Sequence, residues 1–242
     1  MKDLRCIVVG SSMTMPSFDL KYEQTWLYKL IKRYPNIEFI DKNTRSSSVR
    51  RLVTEGALSK GYDLLEYYTP DFIITQIGIA DCSPRLLKRE ALSTKFINMM
   101  PFSTFIYNIV RKTKGRTISC CDIDTTTFYK CLETYAKRAS QSQTHLFCIK
   151  IAHTGAGVVK KSPHMIEAID LYNKEFDKLA ANFNNVSIIT PFPEDVNLQE
   201  LLIKDEIHPN EKGADIILQN IVNAIEPYLE IKMNENETKN NH

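Results

Sequence analysis

Short apolar runs alternate along the chain with longer segments of helical periodicity. The apolar runs are rich in Val, Ile, Leu and Phe and are short enough to be buried strands. They lie at residues 4–9, 37–40, 71–77, 146–151 and 186–190. Apolar residues recurring every three or four positions predict helices at about 19–33, 46–60, 123–142, 163–183 and 211–231. From Met233 the chain is rich in Asn, Glu and Lys without an apolar period, which predicts a disordered tail at 233–242.

Strands that alternate with helices are typical of a parallel sheet covered by helices on both faces. We therefore expect an α/β fold: a three-layer, flavodoxin-like α/β/α arrangement with a parallel sheet of about five strands. At 242 residues the chain can bury a large core. A single domain over residues 1–232 is the expected organisation.

Polar, turn-forming segments follow four of the five predicted strands. They lie at residues 10–14, 78–85, 152–155 and 205–210. In open parallel sheets, ligands bind beyond the carboxyl ends of the strands, where such segments meet. The sequence therefore places its candidate chemistry on one edge of the sheet.

Three of these polar side chains have the chemistry of a nucleophile, a base and an orienting acid. Ser12 follows the first strand, while Asp205 and His208 stand three residues apart before Pro209, which favours an extended chain at His208. A serine hydroxyl needs a base within hydrogen-bond reach, and a tight turn would let Asp205 accept Nδ1–H while Nε2 faces Ser12. The alternatives are a helix-capping role for Ser12, a structural role for His208, and Ser11 as the nucleophile. Glu206 is expected to point away into solvent.

The order of these motifs resembles the SGNH (GDSL-like) hydrolase superfamily over nearly the whole chain. The family's first block, Gly-Asp-Ser, is matched by Gly10-Ser11-Ser12, with Ser11 in place of the aspartate. Its last block, Asp-x-x-His, is matched closely by residues 205–208, including the Pro-Asn and Gly that follow. The resemblance implies Ser12 as nucleophile, His208 as base and Asp205 as its partner.

The two middle blocks depart from the family pattern. The third, Gly-x-Asn-Asp, appears as Gly78-Ile79-Ala80-Asp81, and the glycine of the second falls near Ser46-Ser47. In the family these blocks help to bind the oxyanion, so backbone N–H groups of Ser12 and of the Ser46-Ser47 turn are the expected donors. Ala80 has no amide to donate, and losing one such donor typically costs ~3–4 kcal/mol of barrier.

Arg85 and Asp81 are near Ala80 in sequence, and Arg85 is a candidate for contacting an oxyanion or an anionic substrate. The run at 78–85, Gly-Ile-x-Asp-Cys-x-Pro-Arg, resembles a variant among SGNH-like proteins of bacterial surface-polysaccharide gene clusters. The resemblance implies hydrolysis or transfer of an acyl group, an acetyl group for instance, on an O-acylated carbohydrate. Acyl lipids and thioesters are the second choice. The substitution at Ala80 leaves one alternative from another class, a weak or inactive member that binds a glycan or a protein partner.

Residues 84–116 form a basic insertion before the helix at 123–142. Eight Lys or Arg residues stand against one acid, giving 8 − 1 = +7, so the rest of the chain sums to 2 − 7 = −5. One interpretation is a helical subdomain that packs its aromatic residues on the core. The other is a cap over the active edge that contacts an anionic ligand or, weakly, a membrane surface.

The remaining features mainly exclude functions. A net charge of +2 predicts no nucleic-acid partner, and no apolar run approaches the length of a membrane span. Six scattered cysteines without a C-x-x-C pair predict reduced thiols, a cytoplasmic location and no metal site. No cofactor is expected.

Two glycine-containing turns lack the spacing of nucleotide-binding motifs. The turn at 10–15 lacks the G-x-G-x-x-G dinucleotide pattern, and Lys160 replaces the second glycine of a P-loop in residues 155–162. His153 follows the fourth strand, where it is expected either to contact substrate or to remain a solvated loop histidine.

Overall fold

A five-stranded parallel sheet forms the centre of the protein, with strand order β2-β1-β3-β4-β5. The computed structural model describes residues 4–53, 61–89, 91–113 and 115–240, with side chains described up to residue 235. The strands are β1 (Leu4–Gly10), β2 (Ile37–Asp41), β3 (Phe72–Gln76), β4 (His145–Ile149) and β5 (Val186–Ile189). All four neighbouring pairs are parallel. The predicted sheet is thus confirmed, with each strand within two residues of its expected bounds.

Helices cover both faces of this sheet. The α-helices are α1 (Trp26–Arg33), α2 (Ile79–Cys82), α3 (Leu92–Met99), α4 (Ser103–Thr113), α5 (Thr125–Gln141), α6 (Ala156–Lys161), α7 (Met165–Asn182) and α8 (Glu211–Asn240). Short 3₁₀ turns lie at Ser12–Thr14, Tyr22–Gln24, Val49–Leu52, Tyr62–Leu64, Ile118–Cys120 and Leu198–Glu200. Among the described residues, no helix combines the length and apolar character that crossing a bilayer requires.

Alternation along the strands divides the core into two layers. In β1, Ile7 and Val9 face a cluster formed with α5 and α7, whereas Cys6 and Val8 face a cluster formed with α1 and α8. Successive side chains of a strand point to opposite faces, so this apolar run supplies both layers. The expected three-layer α/β/α architecture is confirmed.

Two predicted helices are shorter in the structure than their periodicity suggests. The first begins only at Trp26, because the Thr25 side chain accepts a hydrogen bond from the Tyr28 N–H (3.3 Å) and caps the helix there. The helix expected at 46–60 appears as a single 3₁₀ turn, Val49–Leu52, and residues 54–60 of that prediction lie outside the described part.

The structure corrects the prediction of a disordered tail from residue 233. Helix α8 continues to Asn240, well beyond the last apolar residues that pack on the core. Glu and Lys are good helix formers, and Lys232 pairs with Glu235 one turn later (3.0 Å), so the segment extends an existing helix without needing a buried face. Residues 241–242 lie outside the described chain.

The basic insertion contains the two helices α3 and α4, and the structure overturns the expectation that its aromatic residues pack on the core. Within α3 and α4 only Thr94 is buried. Neither core layer includes a residue from 91–113. The reason is that the two helices contact each other and project from the domain, with Tyr107 Oη donating to Asn98 Oδ1 between them (2.9 Å).

Candidate active site

The turn after β1 buries Ser11 and leaves Ser12 accessible. The Ser11 N–H donates to the Gln76 carbonyl at the end of β3 (3.1 Å), and its hydroxyl accepts a long hydrogen bond from the Met13 N–H (3.5 Å). Ser11 therefore has the helix-capping role considered for Ser12. Because the Ser11 hydroxyl is turned into this cap, the structure does not support it as the alternative nucleophile.

Gly10 allows the chain to turn at this point. A Cβ at Gly10 would overlap both the Asn43 Oδ1 atom and the Thr14 side chain. The loop after β2 approaches equally closely, with the Thr44 N–H donating to the Gly10 carbonyl (3.1 Å). The glycine of the first sequence block thus lets two loops meet beside Ser12.

The loop before α8 brings His208 onto this turn. Asp205 Oδ1 accepts the backbone N–H groups of Ile207 (2.9 Å) and His208 (3.0 Å), which closes a tight turn. Asp205 Oδ2 then accepts a hydrogen bond from His208 Nδ1 (2.6 Å), and His208 Nε2 lies 2.8 Å from Ser12 Oγ. The carboxylate, imidazole and hydroxyl form one hydrogen-bonded chain, in the arrangement that the sequence spacing predicts.

Asp205 carries the negative charge in this chain. Partial burial alone would raise the pKa of its carboxyl, but the N–H groups of His208 and Ile207 and the imidazole of His208 outweigh burial and lower that pKa. Asp205 is therefore ionised at neutral pH, and it can stabilise an imidazolium when His208 takes a proton.

The residues that follow the motif hold its loop in place. The Ile203 N–H donates to the His208 carbonyl (2.9 Å), and the Asn210 side chain donates to the Glu200 carbonyl (2.8 Å). Asn210 Oδ1 also accepts the Gly213 N–H (3.0 Å) in the first turn of α8. A Cβ at Gly213 would overlap the Leu201 carbonyl. The Pro-Asn and Gly after the motif therefore fix the histidine loop.

Glu206 has a role that the sequence analysis missed. Instead of pointing into solvent from an extended segment, it has a left-handed φ of 59° and its carboxylate accepts the N–H groups of Gly157 and Val158. A Cβ at Gly155 or Gly157 would lie 2.7 Å from Glu206 atoms. The two glycines that superficially resemble a P-loop thus make room for this carboxylate, and Glu206 clamps the histidine loop to the segment after β4.

Asp81 joins the loops of the second and third sequence blocks. Its buried carboxylate accepts the Ser48 hydroxyl (2.6 Å) and the Val49 N–H (2.9 Å). Gly78, at the start of α2, has a φ of 117°, and a Cβ there would lie 2.7 Å from the Ile151 Cδ1 atom. Both residues are therefore structural in this arrangement, and the Asp81 carboxylate binds Ser48 and Val49 rather than Ser12.

The expected oxyanion donors are only partly available. The Ser47 N–H donates to the Thr44 carbonyl (3.1 Å), and the Ser47 side chain is buried, so this residue cannot serve as expected. Ser46 adopts a left-handed φ of 57°, a conformation that a glycine adopts more readily. Among the described residues, no acceptor binds the backbone N–H of Ser12 or of Ser46. These two groups remain as candidate donors.

Arg85 is engaged elsewhere and does not contact Ser12. Its Nε donates to Asp122 Oδ2 (2.7 Å), and both Arg85 Nη2 (3.4 Å) and Arg89 Nη2 (3.3 Å) approach the Ala80 carbonyl. The arginine thus braces the loop that carries Ala80, while the Ala80 methyl group offers no hydrogen-bond donor. The structure does not support Arg85 as an oxyanion ligand.

His153 lines a cavity of about 610 Å³ beyond β4 and β5, whose lining includes neither Ser12 nor His208. Its Nε2 contacts Asp170 Oδ1 (2.7 Å), and Lys174 and Glu194 also line the cavity. The histidine is therefore a cavity-lining residue rather than part of the Ser12 chain. In the part of the chain that the structure describes, no cluster of three or more His, Cys, Asp or Glu residues could hold a metal ion.

The pKa of Asp81 gives a pH dependence of stability that can be tested. Burial raises this pKa to about 6, although the Ser48 and Val49 hydrogen bonds oppose the shift. A carboxyl group whose pKa is higher in the folded than in the unfolded protein stabilises the fold in its protonated form. This stabilisation is complete below the pKa of the unfolded protein, about 4, and is lost as pH rises through the folded-state pKa of about 6. Between pH 5 and pH 7 the wild type should lose about 1 kcal/mol of unfolding free energy as Asp81 becomes ionised.

Urea unfolding of the wild type and of Asp81→Asn at the two pH values would measure this contribution. The variant has no carboxyl group to titrate at this position. Between pH 5 and pH 7 its unfolding free energy should therefore fall by about 1 kcal/mol less than that of the wild type. Asp195→Asn, an exposed carboxyl without a hydrogen-bond partner among the described residues, is the control and should behave like the wild type. Equal pH dependence in the wild type and Asp81→Asn would contradict the raised pKa.

The fold is shared with several solved esterase structures, although neither a protein-family model nor a curated protein matches the chain. TesA matches with 14% identity and a TM-score of 0.62, covering 92% of this chain and 98% of TesA. A variant of Axe2, an acetylxylan esterase from Geobacillus stearothermophilus, matches with 13% identity and a TM-score of 0.60, covering 92% and 94%. A lipolytic protein of the G-D-S-L family from Desulfitobacterium hafniense matches with 14% identity and a TM-score of 0.58, covering 90% and 97%. At this identity the likeness establishes a common fold.

Proposed function

We propose that this chain, which has the fold of the SGNH hydrolases, is a serine-dependent ester hydrolase. The observation that carries the proposal is the hydrogen-bonded chain from Asp205 through His208 to Ser12, with steps of 2.6 and 2.8 Å. These are the distances at which a base can remove a hydroxyl proton. The acetylxylan esterase and the lipolytic protein of the G-D-S-L family among the structural neighbours support the same reaction class.

The geometry supports a two-step reaction through an acyl-enzyme. Ser12 Oγ attacks the ester carbonyl while His208 Nε2 takes its proton, and the backbone N–H groups of Ser12 and Ser46 bind the oxyanion. The imidazolium then gives this proton to the departing alcohol. A water molecule, activated by His208, hydrolyses the acyl-enzyme and restores Ser12. An acceptor alcohol in place of water would give acyl transfer by the same route.

We infer a short acyl group from the size of the cavity that adjoins the turn carrying Ser12. The cavity that touches Ser11, Met13 and Ile79 is about 10 Å³, room for little more than one water-sized group. It shares residues 150–152 with the 610 Å³ cavity, where His153, Asp170 and Lys174 offer hydrogen-bonding groups to the hydroxyl-rich alcohol part of a carbohydrate ester. The acetylxylan esterase neighbour supports an O-acetylated carbohydrate as the substrate class.

A series of p-nitrophenyl esters with one leaving group and growing acyl chains would test this assignment. We expect kcat/KM to be about tenfold or more higher for the acetyl ester than for the octanoyl ester, because the cavity beside the Ser12 turn has room for little more than one water-sized group. Ser12→Ala supplies the blank for background hydrolysis. A preference for the octanoyl ester would instead favour acyl lipids or thioesters as substrates.

The second candidate function is binding of a glycan or a protein partner without efficient catalysis. Ala80 favours it, because the side-chain donor of the family's oxyanion site is missing and Ser47 cannot compensate through its N–H. A binding protein has no need of a reactive hydroxyl. Reactivity of Ser12 toward an active-site-directed acylating or phosphonylating reagent therefore separates the two functions.

The proposed setting is the cytoplasm, with a small-molecule or glycan ester as substrate and no nucleic-acid partner. All six cysteines are buried and free. Free thiols are usual in reducing compartments, which supports this location. The net charge of +2 gives the whole molecule little attraction for nucleic acid.

A further inference from the structure

The α3–α4 hairpin (residues 91–113) exposes an unusual amount of large apolar surface. Six of its side chains have 46 to 84% of their surface exposed: Leu92, Phe96, Met99, Phe102, Phe105 and Ile109. Leu92, Phe96 and Met99 are spaced i, i+4, i+7 and lie on one face of α3, and Phe105 and Ile109 share a face of α4. Isolated exposed apolar residues are common, but a cluster of this kind marks an interaction surface.

Positively charged side chains flank these apolar faces and are not paired with acidic residues in the described part of the chain. Residues 91–113 contain no Asp or Glu, and Lys95, Arg111, Lys112 and the nearby Arg116 form no ion pair with any residue that the structure describes. Lys95 precedes Phe96 on α3, and Lys112 lies one turn after Ile109 on α4. Their long side chains can extend past the apolar residues and keep the charge in a polar layer.

Residues 85–89 and 117–122 form a neck between the hairpin and the active edge of the sheet. Arg85 Nε and Arg89 Nε both donate to Asp122 Oδ2, at 2.7 and 2.6 Å, and an isolated β-bridge joins Arg85 to Thr117. Both arginines pair with the one carboxylate of Asp122, which offsets one of their two positive charges, so we assign them to the neck and not to the charged surface. These contacts hold together the two segments that flank the hairpin, next to the loop that carries Ala80.

We propose that the α3–α4 hairpin docks the protein onto the surface of an anionic lipid bilayer. Helices with large apolar residues on one face and Lys or Arg beside it lie in the membrane interface, held by apolar burial and by attraction to acidic headgroups. A second copy of the chain fits less well, because two hairpins without acidic residues would bring like charges together. An anionic polymer would bind the cations but would leave the Phe and Met side chains in water.

Flotation of the full-length protein with lipid vesicles tests this proposal without reference to catalysis. The wild type should bind vesicles of phosphatidylcholine mixed with phosphatidylglycerol at least tenfold more tightly than vesicles of phosphatidylcholine alone, since each cation contributes about fivefold. Added salt should weaken this binding. The salt series needs no variant and so does not depend on any substitution being tolerated.

Two double variants separate the apolar and electrostatic contributions. Phe96→Ser/Phe105→Ser and Lys95→Glu/Lys112→Glu should each reduce affinity for the mixed vesicles about tenfold or more. Their circular dichroism should match the wild type, because all four side chains are exposed. The controls are Phe18→Ser and Lys130→Glu/Lys160→Glu, exposed positions outside the hairpin, which should bind like the wild type.

Three results would overturn the proposal. The first is no binding of the wild type to mixed vesicles, and the second is binding that neither hairpin variant weakens. The third is a wild-type dimer in sedimentation that Phe96→Ser/Phe105→Ser dissociates, since a second copy of the chain would then cover this face.

Discussion

Replacing Ser12 by alanine should reduce kcat/KM for a reactive ester by ~10⁴–10⁶ while leaving the fold intact. The Ser12 hydroxyl is the group that His208 Nε2 contacts at 2.8 Å, and without it no acyl-enzyme forms. The variant loses one partly exposed oxygen whose one hydrogen bond to the described residues is with His208. Steady-state kinetics, with circular dichroism and thermal unfolding as checks on folding, measure the effect.

The neighbouring serine supplies a matched control. Ser11→Ala removes the same atoms one residue away, but the Ser11 hydroxyl accepts only a long 3.5 Å hydrogen bond from Met13. We expect Ser11→Ala to lose less than about tenfold in kcat/KM, because such a bond contributes on the order of 1 kcal/mol. Comparable losses in the two variants would mean that the turn, and not the Ser12 hydroxyl, supports the activity.

Replacing Asp205 by asparagine should reduce kcat by ~10²–10⁴ with little change in KM. Asp205 Oδ1 accepts the N–H groups of Ile207 and His208, so an asparagine oxygen would keep that place. Its amide nitrogen would then face His208 Nδ1 and donate to it. The imidazole proton would move to Nε2, and His208 could no longer accept the proton of Ser12.

The stability of Asp205→Asn shows whether its lower kcat comes from a changed histidine tautomer or from a loss of loop structure. Its unfolding free energy should stay within about 1 kcal/mol of the wild type, because two of the three hydrogen bonds at this residue remain. Asp195→Asn, at an exposed position, should leave kcat unchanged. A kcat within about threefold of the wild type in Asp205→Asn would remove Asp205 from the proposed mechanism.

Local signals were sufficient to predict the sheet and the central hydrogen-bonded chain. The strands are buried on both faces, so short apolar runs mark them clearly, and parallel topology places their carboxyl ends on one edge. The Asp-x-x-His spacing and Pro209 fix a tight turn through bonds between near neighbours. Such features depend on a few adjacent residues, which a single sequence displays.

Features that depend on distant partners could not be predicted in this way. Glu206 is held by N–H groups 48 and 49 residues away, and Arg85 by Asp122, 37 residues away. The only sequence feature that points to the Glu206 contact is the pair Gly155 and Gly157, and this pair also resembles part of a phosphate-binding loop. The sequence also does not predict that Phe96 and its neighbours are exposed. A helical spacing of apolar residues shows that a helix has an apolar face, but not whether another part of the protein covers that face.

Labelling with a fluorophosphonate probe tests the central claim most directly, because the reagent reacts with a serine that a base has activated. The wild type should be labelled, the modified peptide should carry the phosphonate on Ser12, and Ser12→Ala and His208→Ala should not react. Labelling on Ser12 that persists in His208→Ala, or a folded wild type that takes up no probe, would contradict the proposed activation of Ser12 by His208.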